Sequence, residues 1–265
     1  MNDISDVIDS KFQVFADDMV FNGVGSLEDC LRLQDSLDRI CNWCIVNGMQ
    51  LNASICKVIS FQRENSLRPT QYQINGTLIQ HSDVIKDLGV LLNNKFSRDN
   101  HIDSICSRAS RLLGFMWCGA IGGLSVYSIV ILYKSLLRPI LEYASVVWKP
   151  FYTHHIVRLE RVQRRFLRLV GARLGFNFPD VPIKNFISQF EIFSLQARFD
   201  LHDIMFLFKI INGIINCPEL LGEIGFRTPS STRSTDLFVH NFYRTNYMRS
   251  GTIARLHHLG NYHSG

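Results

Sequence analysis

Near residue 95 the spacing of apolar side chains changes period, so the chain must build two kinds of structure in series. Before that point, short apolar runs alternate with turn signals. Phe12-Gln13-Val14-Phe15-Ala16 and Met19-Val20-Phe21 read as strands, with Asp17-Asp18 as the turn between them. Ser26, with Asp29 three residues on, makes a capping-box pattern worth about 1 kcal/mol. The helix it opens carries Cys30, Leu33, Leu37, Ile40, Cys41 and Cys44 at helical spacing and stops at Asn47-Gly48. Val58-Ile59-Ser60-Phe61 reads as a strand. Asn75-Gly76 between Tyr72-Gln73-Ile74 and Thr77-Leu78-Ile79 is a strong hairpin signal, and Val84 to Leu92 reads as a strand interrupted at Gly89. Residues 1–95 are thus expected to form a small mixed sheet with a helix packed on it.

After residue 95 the period is helical. Ile102, Ile105, Cys106, Ala109, Leu112, Leu113 and Met116 form one stripe. Further helices are expected over Ser125–Arg138, continuing past a kink at Pro139 to Trp148, over Val157–Ala172, and through Phe186–Asn216. Beyond Gly222 the periodicity is weak and an irregular tail is expected. The class is α+β, in three parts: 1–95, a helical segment 96–175, and a helical C-terminal region 176–265.

Charge is distributed unevenly. Residues 1–50 carry a net −6 and residues 134–175 a net +7, so one block invites a polyanionic partner. A hydrophobic content of 46% excludes an intrinsically disordered chain. Apolar runs such as Ile129–Tyr133 fall far short of the roughly 20 residues that span a bilayer. The first residues show no secretory pattern, so a soluble intracellular protein, in nucleus or cytoplasm, is expected. Seven cysteines show no disulfide framework, and Cys41 and Cys44, inside a helix, read as core filling. His154-His155 and His257-His258 are adjacent pairs, which do not share a helix face, and no glutamate stands at zinc-protease spacing. Trp43, Trp117 and Trp148 all lie in apolar stripes and read as core.

Two features carry chemistry. The first is Asp17-Asp18. Two carboxylates about 4 Å apart repel by roughly 4 kcal/mol at an effective dielectric of 20, and a divalent cation relieves that repulsion. Paired carboxylates on a strand turn suit Mg²⁺ that also holds phosphate oxygens. The second is the segment 158–168, where Arg158, Arg161, Arg164, Arg165 and Arg168 face away from Leu159, Val162, Phe166, Leu169 and Val170. Five phosphate contacts imply a salt slope of about −4.5, or ~500-fold weaker binding between 50 and 200 mM salt.

Phe15-Ala16-Asp17-Asp18 resembles the F-A-D-D catalytic hairpin of reverse transcriptases from non-LTR retrotransposons of the LINE-type, jockey-like group. Other matches follow in order. Leu37, Trp43-Cys44 and Leu51-Asn52 resemble the family's helix and loop, and Cys56 with Ile59-Ser60-Phe61 its next strand. Lys86-Asp87-Leu88-Gly89-Val90 resembles the primer grip, and His101-Ile102 the opening of the thumb. Leu141-Glu142-Tyr143-Ala144-Ser145 with Val147-Trp148 and Pro150 resembles a thumb block, continued by Val162-Gln163 and Arg165-Phe166. Arg244-Thr245-Asn246-Tyr247 resembles the family's C-terminal tail.

The resemblance implies a partial palm over 1–95, a thumb over 96–175, and an RNA-directed DNA polymerase ancestry: Mg²⁺-dependent, templated dNTP addition to a primer 3′-OH. Asp17 and Asp18 would hold the metal, Leu88 and Gly89 would place the primer, and the arginines would contact an RNA template with a DNA primer, or an RNA–DNA duplex. Two departures follow. The family's fingers, first metal-binding Asp and S-x-G-x-P-Q-G segment are not found; Asn2-Asp3-Ile4 resembles a stretch between that segment and the hairpin. Ile55 stands where the family tends to place Lys. Lys57 is the substitute as the acid that protonates pyrophosphate, although strand alternation sends it to the face opposite residue 56. The chain alone is therefore expected to be inactive. The alternatives are a non-catalytic nucleic-acid-binding or assembly module, and a decayed genomic copy.

Overall fold

A computed structural model describes residues 4, 7–22, 26–61, 71–227, 236–239 and 241–263. Asn2 and Asp3, singled out by sequence, lie outside the described residues. The fold is α+β and divides into two compact units, residues 1–97 and 98–265.

The first unit is organised by helix α1 (Leu27–Val46). Its N-cap Ser26 accepts a hydrogen bond from the Asp29 amide, and the helix ends at Asn47 before Gly48 at φ 66°. Leu33, Leu37 and Cys41 pack against Tyr72, Ile74 and Ile79, while Ile40 and Cys44 pack against Ile4 and Ile8. Burial pushes the Cys44 thiol up, as expected of a core-filling cysteine.

The strands are shorter and less connected than expected. They are β1 (Phe12–Phe15), β2 (Asp18–Phe21), β3 (Lys57–Val58), β4 (Gln73–Ile74), β5 (Thr77–Leu78), β6 (Gln80–His81), β7 (Val84–Asp87) and β8 (Val90–Asn93). Among the described residues they form four separate two-stranded pairs: β1–β2, β4–β5 and β7–β8 antiparallel, β3–β6 parallel. No continuous mixed sheet appears among them. Such pairs are marginal alone and need a packed face. Helix α1 supplies it: the Gln34 side chain accepts from the Gln73 amide and donates to the Gln73 carbonyl, both at 3.0 Å. The strand expected over 58–61 shrinks to Lys57–Val58.

The second unit is helical: α2 (Asp99–Ile121), α3 (Val126–Leu132), α4 (Arg138–Glu142), α5 (Ser145–Trp148), α6 (Thr153–Arg173), α7 (Ile183–Gln189), α8 (Leu195–Ile211), α9 (Pro218–Glu223), α10 (Asn246–Arg249) and α11 (Thr252–His263). A wide π-turn over Tyr133–Leu137 leads into α4 and accommodates Pro139 in its first turn. The helix does not run on to Trp148, because Ala144 at φ 52° breaks it. The expected 186–216 helix is likewise split at Glu191, φ 53°.

Helices α2 and α6 lie side by side in the same direction. Asp99 meets His155, Asp103 meets Arg158, and near their far ends Arg173 donates to the Leu124 carbonyl at 2.9 Å. Apolar residues of both helices are fully buried, among them Ile102, Ala109, Leu159 and Phe166. His101 packs against Trp148, and burial holds its imidazole down at about 4. Tyr133 stacks on Phe166 at 4.2 Å and donates to Gln163, which donates in turn to the Phe193 carbonyl.

The tail is not irregular throughout. Leu256 of α11 is fully buried in a cluster with Leu207 and Ile210 of α8, Ile224 and Phe238. An ionic network locks it there: Lys149 donates to Asp200 (2.5 Å) and Asp203 (2.8 Å), and Arg255 of α11 donates to Asp203 (3.1 Å).

Candidate functional site

The β1–β2 hairpin is anchored at one end and bare at the other. Its register pairs Phe12 with Phe21, whose rings stack at 6.1 Å over the Ile40–Cys44 cluster. At the tip Phe15 pairs with Asp18, so the two-residue turn is Ala16-Asp17, one residue earlier than the sequence suggests. The left-handed φ (55°) falls on Ala16 and not on an aspartate. An alanine there costs on the order of 1 kcal/mol relative to glycine. Asp17 and Asp18 are both exposed, and so is Phe15, at 64%. The flanking aromatic strands thus leave the acidic tip and Phe15 open to solvent.

Mg²⁺ is commonly held by one or two carboxylates, with water and phosphate oxygens completing the octahedron. Asp17 and Asp18 are adjacent and exposed, and offer no more than the two carboxylates that such an ion takes from protein. A two-ion site needs carboxylates from more than one segment. Among the described residues no third aspartate, glutamate, histidine or cysteine joins Asp17 and Asp18 within ligand distance. The residues present make half a cage.

Lys57 is exposed at the start of β3, whereas Cys56 is partly buried against the α1 core, so the two do point to opposite faces. Among the described residues no side-chain hydrogen bond or ion pair joins Lys57 to the acidic tip.

Leu88 and Gly89 form the turn of the β7–β8 hairpin, which replaces the single interrupted strand read from sequence. Both have positive φ, 42° and 86°. Glycine takes this conformation without cost, but leucine does not, and Leu88 is also 45% exposed. A strained, exposed apolar residue at a hairpin tip is better suited to touching something than to stabilising the turn. Leu88→Gly is expected to raise stability by about 1 kcal/mol in urea unfolding. A loss of stability would show that the leucine side chain is needed for packing.

Helix α6 presents the five arginines over an arc of about 120° around its axis. Arg158, Arg161, Arg164 and Arg165 are exposed and Arg168 is half-buried, while Leu159, Val162, Phe166, Leu169 and Val170 fill the core. Two are already engaged: Arg158 pairs with Asp103, and the Arg168 guanidinium lies 4.8 Å over the Phe178 ring. Arg165 borders an open cleft of about 250 Å³ with Trp117, Leu169 and Phe178. Trp117 is 41% exposed, which corrects its reading as core, whereas Trp148 is buried and donates to the Tyr143 carbonyl. Arg165 and Arg168 thus stand beside the aromatic rings of Trp117 and Phe178.

Sequence reasoning missed a third grouping. Asp99, His154 and His155 place one ligand atom each within 4.8 Å of one another. The adjacent histidines meet because they stand in the first turn of α6, beside the start of α2. No spacing rule could have found a partner more than fifty residues away.

Over 143 residues the chain is 30% identical to the RNA-directed DNA polymerase from mobile element jockey of Drosophila funebris, and over 142 residues 29% identical to that of Drosophila melanogaster. It is 24% identical over 140 residues to a probable RNA-directed DNA polymerase from transposon X-element of Drosophila melanogaster. The chain is related to the reverse transcriptases of non-LTR retrotransposons. The aligned stretches cover 52–53% of this chain and 15% of each relative's length. No protein-family model and no solved structure matches it. Among the described residues no helix is long and apolar enough to cross a membrane.

Proposed function

We propose that the chain carries the end of the palm (1–95), the thumb (96–175) and a helical C-terminal region (176–265) of a retrotransposon RNA-directed DNA polymerase acting inside the cell, in nucleus or cytoplasm. In this reading it works on an RNA template, a DNA primer and dNTPs. The kinship with the mobile-element polymerases carries the reading, and the placement of Asp17 and Asp18 together on an exposed hairpin tip supports it. Asp17 and Asp18 would hold one Mg²⁺, which would supply charge neutralisation at the phosphate oxygens of the incoming nucleotide. Leu88 and Gly89 bear on the primer strand. The α6 arginines neutralise backbone phosphates. Lys57, two residues past the position where the family tends to place Lys, is the substitute proton donor to pyrophosphate.

Because the described residues supply half a metal cage, the chain alone is expected to show no primer extension with Mg²⁺, an oligo(rA) template and a DNA primer. Robust Mg²⁺-dependent extension would overturn the half-cage reading.

The same half cage, together with the exposed arginine arc, favours a second reading: a nucleic-acid-binding module that does not catalyse. Joining the polymerase region that precedes the hairpin in the jockey relatives to this chain separates the two. Extension that disappears in Asp17→Asn and Asp18→Asn supports the polymerase; duplex binding with no extension supports the module.

A further inference from the structure

The Asp99, His154 and His155 grouping has no part in templated polymerisation as argued above. We propose that these three side chains form a site for a divalent transition ion of the zinc class, clasping the start of α6 to the start of α2.

The chemistry of the donors selects the ion. Two imidazoles and one carboxylate suit Zn²⁺ and its neighbours Co²⁺ and Ni²⁺, and are poorly matched to Mg²⁺ or Ca²⁺, which take oxygen ligands. Three protein ligands leave one tetrahedral position for water. With neutral imidazoles the set carries a net charge of −1, which favours a cation. The Arg98 guanidinium lies 4.9 Å over the Phe151 ring, and Arg158 is paired with Asp103 one turn further along.

Geometry sets what must move. The His155 Nε2 atom lies 2.5 Å from Asp99 Oδ1. Two ligands of one tetrahedral ion, each about 2.1 Å from it, stand roughly 3.4 Å apart. The pair must therefore open by about an ångström. The Asp99 side chain can supply this, since it is 60% exposed, whereas His155 is fixed by burial. The exposed His154, its ring 4.0 Å from that of His155, turns in from the solvent side. In the absence of an ion the Asp99–His155 hydrogen bond holds the same two helices, so the clasp tightens a contact that already exists.

Titration of the full chain with Co²⁺ and then Zn²⁺ tests this. The wild type is expected to bind one Co²⁺ with visible d–d bands and no intense near-ultraviolet thiolate band, and Zn²⁺ is expected to displace it. His154→Ala is expected to weaken Zn²⁺ binding at least tenfold while leaving the melting temperature of the metal-free protein unchanged, because His154 is exposed. Asp99→Asn is expected to weaken it comparably. The proposal is overturned if the wild type binds no Co²⁺ at 0.1 mM (roughly the weak end of useful sites). It is equally overturned if either variant binds as tightly as wild type, or if a thiolate band shows that cysteines hold the ion.

Discussion

Replacing Arg161, Arg164, Arg165 and Arg168 together by alanine is expected to remove most of the salt dependence with which the chain binds an RNA–DNA duplex. Each phosphate neutralised contributes about −0.9 to the slope of log K against log salt. Arg158 is held by Asp103, whereas the stacking of Arg168 on Phe178 leaves its N–H edge able to donate, so four arginines remain to meet phosphates and the wild-type slope should lie near −3.6. Affinity would then fall ~150-fold between 50 and 200 mM salt, and by only about threefold in the quadruple variant if Arg158 is recruited. Filter binding or fluorescence anisotropy across that range reads both slopes. Arg161, Arg164 and Arg165 are exposed and Arg168 is half-buried, so circular dichroism should show an intact helix. Equal slopes for the two proteins would remove the arginine arc from any nucleic-acid interface.

The second large effect concerns stability. Asp203 is fully buried and accepts from both Lys149, itself 5% exposed, and Arg255. Asp203→Ala would leave a buried ammonium facing only Asp200 and would strip the guanidinium of its carboxylate. Breaking a buried pair in this way costs about 3–5 kcal/mol. For a unit of this size that lowers the melting temperature by roughly 10 °C. Asp200→Ala should cost less, because Asp200 is about one-third exposed and solvent can replace part of its interaction. A Tm for Asp203→Ala within a degree or two of wild type would mean that water reaches Lys149 and that α11 is held by its apolar contacts alone.

Features legible in the sequence are those set by neighbours along the chain. Ser26 and Asp29 cap α1 because both partners lie within one turn, and Asn75-Gly76 turns where expected because it tolerates positive φ at both positions. The acidic hairpin was visible for the same reason. Its register was not, because nothing in Ala16 announces a left-handed conformation. The mixed sheet failed because period-two patterning specifies strands but not which strands pair. Helix α11 was hidden by the arginine and histidines around Leu256, two of which serve tertiary contacts: Arg255 in the Asp203 network and His257 stacked on Phe238. Among the site residues, sequence located the arginine arc on α6. It did not reveal that Asp103 occupies Arg158, that Trp117 stands beside Arg165, or that Asp99 reaches the two histidines. Each of those depends on α2 meeting α6.

That co-directional pairing of α2 and α6 also governs how the helical unit assembles. An up-and-down bundle can build itself from successive hairpins, each closing a short loop. Here the partners of Asp99 and Asp103 lie 56 and 55 residues away, and the whole excursion through α3, α4 and α5 must return before the two helices touch. The entropy of closing that long circuit comes before any reward from the Ile102–Phe166 interface, which places this unit among the slower-folding helical proteins.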